Sequence, residues 1–372
     1  MQKKRPSIIA NEIYEEYIRS GKVPVGEHLP TVRVLAHKYG VSGATIVHAL
    51  ILLEKEGRIQ RRHGSGCYVL DQPKDQPAFK YKLAFVRPRF RGDSVLPAIF
   101  AGMEAEAARS GYALVVKSSG ESVEEEDAVL RELAESGMDG LILYPQPRNR
   151  VEDLNRVVQK HARIPMILVD LASDSTRCSR VVFDNFEAGF NMTRRLLEAG
   201  RKRIGFWMQH VETEESGSLF SVQQRYEGYL SCLREHGIEP RDKWIWHDVW
   251  KSPNADQNDS MLWEHLSHWK EGNSVERIDA LLALDDVRAG IAINVAGSLG
   301  VRVPGDIAVT GFDDIASVQR VFNYAFPTTE PDFYKAGRVA FTTLLRQIEE
   351  RVERELVYLL PAPVRWPENY LK

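Results

Sequence analysis

Residues 26–70 read GEHLPTVRVLAHKYGVSGATIVHALILLEKEGRIQRRHGSGCYVL, and the order of caps, apolar positions and glycines here decides what the N-terminus is. Thr31 stands where an N-cap belongs, ahead of Val34, Leu35 and Tyr39, and Gly40 follows as the residue that ends the helix. Ser42 is a second cap, opening a helix whose apolar side is Ile46, Leu50 and Leu53 and which Gly57 closes. Two helices joined by Tyr39-Gly40-Val41-Ser42 make a helix-turn-helix. Upstream, Ile9, Ile13 and Tyr17 recur at helical spacing. Downstream, Ile59–Arg62 and Cys67–Leu70 are short strands around His63-Gly64-Ser65-Gly66, a hairpin or wing. The second helix can lie in a major groove with its N-terminus leading, and the wing offers Arg61, Arg62 and His63 beside glycines. A generic three-helix interaction module with a solvated basic hairpin has the same outline, and charge alone separates the two only weakly. Residues 1–71 carry 11 Lys/Arg and 7 Asp/Glu, whereas the remainder carries 38 and 45. A basic head on an acidic body suits a head that meets a polyanion.

The residues carry a resemblance. Gly26-x-x-Leu29-Pro30-Thr31-x-Arg33-x-Leu35-Ala36, Gly40-Val41-Ser42-x-x-Thr45, Ala49-Leu50-x-x-Leu53-x-x-x-Gly57 and Arg62-x-Gly64-x-Gly66-x-x-Val69 resemble the GntR-family winged helix, from residue 6 to residue 70. The resemblance implies DNA contacts from Arg33, from the helix start Ser42, Gly43, Ala44 and Thr45, and from the wing tip His63-Gly64; Thr31 and Arg62 are placed to add phosphate contacts. Many relatives have arginines where Gly43 and Val47 stand, and such arginines read guanine bidentately. Their absence changes the expected operator; Ala44 and Val47 suit thymine methyl groups instead.

Asp71-Gln72-Pro73-Lys74-Asp75-Gln76-Pro77 is polar, with two prolines and no apolar periodicity, and marks an interdomain linker. The expected organisation is a head over 1–71, a linker over 72–80 and a body over 81–372.

In the body, short apolar runs alternate with amphipathic stretches. Strands are expected at Leu83–Val86, Leu114–Val116, Gly140–Tyr144, Met166–Val169, Val181–Phe183, Ile204–Trp207, Trp244–Val249, Ile278–Leu284 and Ile307–Phe312. This βαβ alternation predicts an α/β body of parallel sheets flanked by helices, and its length predicts two lobes. Ligands of such sheets bind beyond the carboxyl ends of the strands. Asp170, Asp285, Asp286, Asp313 and Asp314 all follow strands, and Arg225 lies early in a helix after Ile204–Trp207. Carboxylates and an arginine fork pair with sugar hydroxyls, and an aromatic ring covers a sugar's C–H face.

A second resemblance rests on Val181-Val182-x-Asp184-Asn185-x-x-x-Gly189, Gly200-x-x-Arg203-Ile204, Ser221-x-x-x-Arg225-x-x-Gly228-Tyr229, Asp286, Gly300-x-x-Val303-Pro304-x-Asp306-Ile307-x-Val309-x-Gly311-Phe312-Asp313-Asp314 and Thr328-Thr329. These are similar to the effector domain of the lactose-repressor (LacI) family, a two-lobed periplasmic-binding-protein-like fold, from residue 81 to about 350. The resemblance implies effector contacts from Asp170, Ser221, Arg225, Asp285 and Asp313, with Trp250 and Phe333 as further candidates. Family members usually have asparagine where Asp285 stands, and the first-loop segment is here Gly92-Asp93-Ser94-Val95-Leu96, preceded by Arg89 and Arg91. A GntR head on this body resembles the arabinose-repressor architecture. It implies a repressor whose operator affinity is set by a mono- or oligosaccharide, acting as a homodimer on double-stranded DNA.

Several residues have plainer readings. Asp184, Asp286 and Asp314 are read as helix caps, leaving Asp285 and Asp313 to face the cleft. Five of the seven tryptophans, Trp244, Trp246, Trp250, Trp263 and Trp269, fall in one stretch and are read mostly as packing. His265 and His268 lack a recognisable third ligand, so no metal is expected. Glu124-Glu125-Glu126-Asp127 opens a helix, where acids suit the dipole, and is otherwise read as a solvated face.

An enzyme would need a motif that is missing: there is no phosphate loop, G-x-S-x-G elbow, H-E-x-x-H or dinucleotide fingerprint. No cofactor is expected. An exported sugar-binding protein is the other rival, yet the basic start Met1-Gln2-Lys3-Lys4-Arg5-Pro6 has no apolar run behind it and residues 1–70 would serve no purpose. Three scattered cysteines, Cys67, Cys178 and Cys232, form neither a disulfide framework nor a metal knuckle. With no long apolar run to span a membrane, the expected location is the cytoplasm.

Overall fold

A computed structural model describes the chain except residues 1–5, 63–65, 71–80, 90–94, 147–150, 212–216, 219, 251–259, 272–276, 316–317, 319, 322–323, 353 and 372. It divides into two compact units, 1–78 and 79–372.

In the first unit, helix α1 (Pro6–Ile13) continues as a π-helical stretch, Tyr14–Arg19. Helices α2 (Val32–Tyr39) and α3 (Gly43–Lys55) follow. Thr31 caps α2 by accepting from the Val34 amide, and Ser42 caps α3 by accepting from the Thr45 amide at 3.2 Å. Gly40 ends α2 with φ 65°, left-handed backbone that costs a side chain energy but not glycine. Strands β1 (Ile59–Arg62) and β2 (Gly66–Val69) pair antiparallel, Ile59 opposite Val69. Residues 26–29 add a third, short rung on β2, with Gly26 N donating to Val69 O and Leu29 N to Cys67 O, both at 2.8 Å. Ile9, Ile13, Leu35, Ile46, Leu53 and Ile59 form the core beneath them.

The second unit has two lobes. The first is a six-stranded parallel sheet of β3 (Lys82–Arg87), β4 (Ala113–Ser118), β5 (Gly140–Leu143), β6 (Met166–Val169), β7 (Ser179–Phe183) and β14 (Val357–Leu360), in the order β14-β7-β6-β5-β3-β4. Helices α4 (Leu96–Ser110), α5 (Val123–Glu135), α6 (Val151–Lys160) and α11 (Phe333–Glu350) complete it. Along β3, Leu83 and Phe85 enter one core with Met103 and Phe341, while Ala84 and Val86 enter another with Leu130 and Leu154. Both faces are covered, which is why these strands read as continuous apolar runs.

The second lobe holds β8 (Ile204–Val211), β10 (Ile245–Trp250), β11 (Ala280–Leu282) and β12 (Ala308–Thr310), parallel in the order β10-β8-β11-β12, with β9 (Gly217–Ser218) antiparallel on β8. Its helices are α7 (Asn185–Glu198), α8 (Phe220–Glu235), α9 (Ser260–Glu271) and α10 (Asp286–Ser298). A ribbon of β13 (Thr328–Thr329) and β15 (Val364–Arg365) lies beside them. The chain passes between lobes three times: at Asp184 between β7 and α7, at 330–332 between β13 and α11, and at 361–363 between β14 and β15. Helices cross closely where glycines meet: Gly189 on α7 against Arg225 O, Gly228 on α8 against Phe186 O, and Gly102 on α4 against α11.

The parallel α/β body and its helix-flanked sheets agree with the sequence reading. Strands β9, β13, β14 and β15 were not expected, and the segments around β11 and β12 are shorter than read. The acidic run at 124–127 needs correcting. Glu126 is fully buried and accepts from the Gln146 amide at 2.6 Å, while Asp127 holds Lys160, His161 and Arg131. Those three partners carry Asp127 well below the usual carboxylate range despite burial. Trp244 and Trp246 are core residues, and His265 stacks on Trp246 with ring centroids 5.0 Å apart. Among the described residues no helix is long and apolar enough to cross a membrane.

Candidate functional site

The head gathers one polar face from two helix starts. A Cβ on Gly43 would lie 3.6 Å from Val32 Cγ1, so the N-termini of α2 and α3 adjoin. Thr31, Arg33, Ser42, Gly43 and Ala44 are exposed there, and Thr45 is half-buried with its hydroxyl 2.8 Å from that of Ser42. Val47, one turn on, is 37% exposed, an apolar side chain left facing water beside the exposed His48, which the sequence reading did not single out. Arg62 is exposed and stacks over Tyr68 at 4.6 Å. Arg61, offered equally by the sequence, is tied back to Glu54 at 2.6 Å. His63 and Gly64 lie outside the described residues.

In the body, Arg225 is the most connected of the candidates. From the second turn of α8 it donates through Nε to Asn185 Oδ1 (2.8 Å), through Nη1 to Leu284 O (2.6 Å) and through Nη2 to Asp313 Oδ1 (2.7 Å). Its guanidinium lies over the Phe312 ring, 4.5 Å from the centroid. Each of its three nitrogens donates to a group near the carboxyl ends of β7, β11 and β12, which fixes the fork while leaving a second N–H on Nη1 and on Nη2. Ser221, also buried, lies one turn earlier on α8.

Asp170 and Asp313 share an unusual backbone. They follow β6 and β12 with φ 70° and 90°, and Asp314 has φ 46°. Left-handed backbone at a residue with a side chain costs about 1–3 kcal/mol and collects at functional sites; aspartate tolerates it better than most. Tyr144, just beyond β5, donates to Asp170 Oδ2 at 3.0 Å. Burial pushes the Asp170 carboxyl up to about 6, and the charge of Asp313 adds to this while Tyr144 and Arg225 oppose it. Burial also raises Asp313, against the pull of Arg225. Asp170 belongs to the first lobe and Asp313 and Arg225 to the second, so charged groups of the two lobes come near enough to shift one another.

The cap read for Asp286 falls instead to its neighbour. Asp285, in extended backbone, caps α10 by accepting from the Arg288 amide at 2.8 Å and also holds Arg288 Nη1 at 2.9 Å. Asp286 is no cap: it is fully buried and accepts from the Ile315 amide (2.8 Å) and the Thr328 hydroxyl (2.6 Å). Asp314 is likewise no cap, being paired with Arg365 on the β13–β15 ribbon. Asp184 does cap α7, accepting from the Glu187 amide at 2.9 Å. Phe333 begins α11 and packs edge-on against Phe183 at 4.9 Å, inside the first-lobe core. Trp250 ends β10, and its side chain lies outside the described residues. The sequence reading also passed over Tyr144 and Gln146; the latter is buried and donates to Gly120 O at 3.0 Å beyond β5.

Burial pushes the Asp286 carboxyl up to about 8, above its unfolded value near 4, with Asp313 and Asp285 adding to the shift. A raised acid binds its proton more tightly when folded, so its contribution is full below about pH 4 and is lost as pH rises through about 8. Asp286→Asn is therefore expected to flatten the fall in melting temperature between those values. An effect of about 2 kcal/mol is roughly 4–8 °C in a domain near this size. Melting curves across this pH range test it: equal slopes for wild type and variant would contradict the assignment.

Comparison with known proteins bears on this arrangement. Residues 89–366 match the family described as periplasmic binding proteins and sugar binding domain of LacI family, and residues 9–69 match bacterial regulatory proteins, gntR family. The arabinose metabolism transcriptional repressor of Geobacillus stearothermophilus is 26% identical over 347 residues, covering 90% of this chain and 89% of the relative. The transcriptional repressor PurR of Vibrio vulnificus is 25% identical over 257 residues, covering 69% of this chain and 72% of its own. Among solved structures, the transcriptional regulator CelR–cellobiose complex superposes with a TM-score of 0.65 at 19% identity, over 91% of this chain and 98% of that one. The lac repressor dimer bound to operator and the anti-inducer ONPF gives 0.64 at 21%, over 80% and 97%. At such identities these likenesses speak for the fold. A gntR-type head reads DNA and a LacI-type body takes a small molecule: the chain belongs to the family of periplasmic binding proteins and LacI-type sugar-binding domains, carries a gntR-family DNA-binding head, and is a ligand-controlled transcription regulator.

Proposed function

We propose that the protein is a cytoplasmic repressor that binds a two-fold-symmetric operator as a homodimer, its affinity set by a sugar held between the lobes. The observation that carries the reading is the juxtaposition of the Arg225–Asp313 pair and the Phe312 ring with Asp170 and Tyr144 of the other lobe. Carboxylates and a guanidinium fork in fixed positions match a ligand that both donates and accepts, and an aromatic ring beside them matches its C–H face. Arabinose metabolism in one relative's name and cellobiose in one neighbour's complex point the same way.

Operator binding tests the DNA half. Arg33→Ala is expected to weaken binding about tenfold on all sequences and to reduce the salt slope by about one, as loss of a phosphate contact does. Changes at Ala44 or Val47 alter instead which bases are preferred. Intact binding by Arg33→Ala across a salt titration would remove the head from DNA.

Dimerisation follows from the small surface one recognition helix buries. Strand β4 is a sheet edge with Val115 and Val116 at 38% and 43% exposure, an apolar edge that a second copy can cover. Light scattering is expected to give a dimer for the wild type and a monomer for Val116→Asp. A monomeric wild type would contradict it.

A further inference from the structure

Far from the cleft, the amino ends of the first-lobe strands carry charge that the account so far leaves unused. Two hollows, of about 560 and 640 Å³, adjoin there and share Arg163, Ile164 and Pro165. The first is lined by four arginines, Arg163, Arg177, Arg351 and Arg354, against a single acid, Glu355. All four are exposed, and none of their guanidiniums has a hydrogen bond or ion pair among the described residues. This contrasts with Lys160 and Arg131 in the second hollow, both of which are committed to Asp127. Asp139 lines that second hollow and accepts from the Lys82 amide at 2.8 Å. Lys82 begins β3, so the arginines stand at the end of the sheet where the chain arrives from the head. Ten residues separate Leu70 from Tyr81, and ten residues span at most about 36 Å.

Among the described residues the only acid lining the hollow with these four guanidiniums is Glu355, so the hollow has an excess of positive charge that favours an anion. The hollows are open and their arginines lie in water, which suits a small molecule poorly, since such ligands are largely enclosed. A duplex asks less: its phosphates need only exposed cations in reach, and each contact gains from counterion release. We infer that this arginine-lined end of the first lobe holds the DNA phosphate backbone beside the sequence read by the head, making the body a second, sequence-independent DNA contact. The inference rests on the proposed DNA-binding role of the head.

The test uses the full-length protein and long random-sequence duplex DNA, which requires no knowledge of the operator. The variant carrying Arg163→Gln, Arg177→Gln, Arg351→Gln and Arg354→Gln is expected to lower the slope of log affinity against log salt by about two to four, since each lost phosphate contact removes about 0.9. The matching four-lysine variant keeps the charge and is expected to restore the slope. An unchanged slope in the glutamine variant overturns the inference. So does weaker binding that lysine does not rescue, which would mean a structural defect. A melting temperature raised by inorganic phosphate through these arginines, with DNA binding unaltered, would assign the hollow to a small anion instead. If the wild type fails to bind DNA, or Arg33→Ala binds with the wild-type slope, it is the reading of the head that fails.

Discussion

Asp313→Asn is expected to give a folded protein that binds operator DNA like the wild type but loses its response to the effector, with effector affinity down roughly ten- to a hundredfold. A hydrogen bond to a charged partner is worth about 1.5–3 kcal/mol when buried, which is that range in affinity. The carboxylate of Asp313 is one end of the 2.7 Å pair with Arg225, and its left-handed backbone shows that the fold tolerates strain to put it there. Asparagine keeps the shape and one acceptor, so the Arg225 fork retains a partner. Arg225→Ala is the harsher change. It strands Asp313, Asn185 Oδ1 and Leu284 O together, and breaking a buried pair from one side costs about 3–5 kcal/mol of stability. Its effector response should vanish along with a marked drop in melting temperature. Calorimetry on the asparagine variant separates binding from folding. Unchanged effector affinity would remove Asp313 from the cleft's contacts.

Gly189→Ala is expected to cost more than about 3 kcal/mol of stability, beyond the usual range for overpacking. A Cβ there would sit 2.0 Å from Arg225 O and 2.8 Å from Arg225 Cα, and backbone cannot rotate away as a side chain tip can. The crossing is reciprocal, since a Cβ on Gly228 would meet Phe186 O at 2.1 Å. Relief requires α7 and α8 to separate, and α8 carries Arg225. The variant should therefore lose effector affinity as well as stability, linking a packing contact to the ligand site. Gly297→Ala is the control. It lies within α10 with nothing inside 4 Å of the added Cβ, so alanine should stabilise by up to about 1 kcal/mol. Thermal melts of both variants check the pair; a Gly189→Ala protein that melts like the wild type would mean that the helices do not cross as described.

The residues that were legible in sequence are those whose roles are set locally. Thr31, Ser42 and Asp184 cap the helices that follow them because a short acceptor before a helical run has few other uses. The buried parallel strands were legible for the same reason, each being apolar on both faces. What escaped depends on distant chain. Nothing within Asp285-Asp286 distinguishes the two carboxylates; Thr328, 42 residues away, decides which one is buried. Strand β14 leaves Val357 and Leu359 half-exposed and exists only because β7 offers an open edge. Glu126 reads as part of a solvated acidic face at a helix start, and only the Gln146 amide, 20 residues on, accounts for its burial. Arg225 was legible through its family resemblance, whereas its grip on Leu284 O and Asn185 was not. Tyr144 read as the end of a strand, and only the fold brings it to Asp170.

The central claim is that a cleft ligand and operator DNA are coupled through one protein, and thermodynamic linkage tests it directly. If a sugar changes operator affinity by some factor, operator DNA must change sugar affinity by the same factor. The measurement is calorimetric titration of the wild-type protein with a panel of monosaccharides and short oligosaccharides, free and saturated with its operator, alongside operator binding with and without each sugar. The account predicts at least one sugar with two different affinities, their ratio equal to the shift in operator affinity and about 5- to 150-fold, the span of typical coupling energies. A sugar that binds equally well to free and operator-bound protein, or a panel in which none binds, would contradict it.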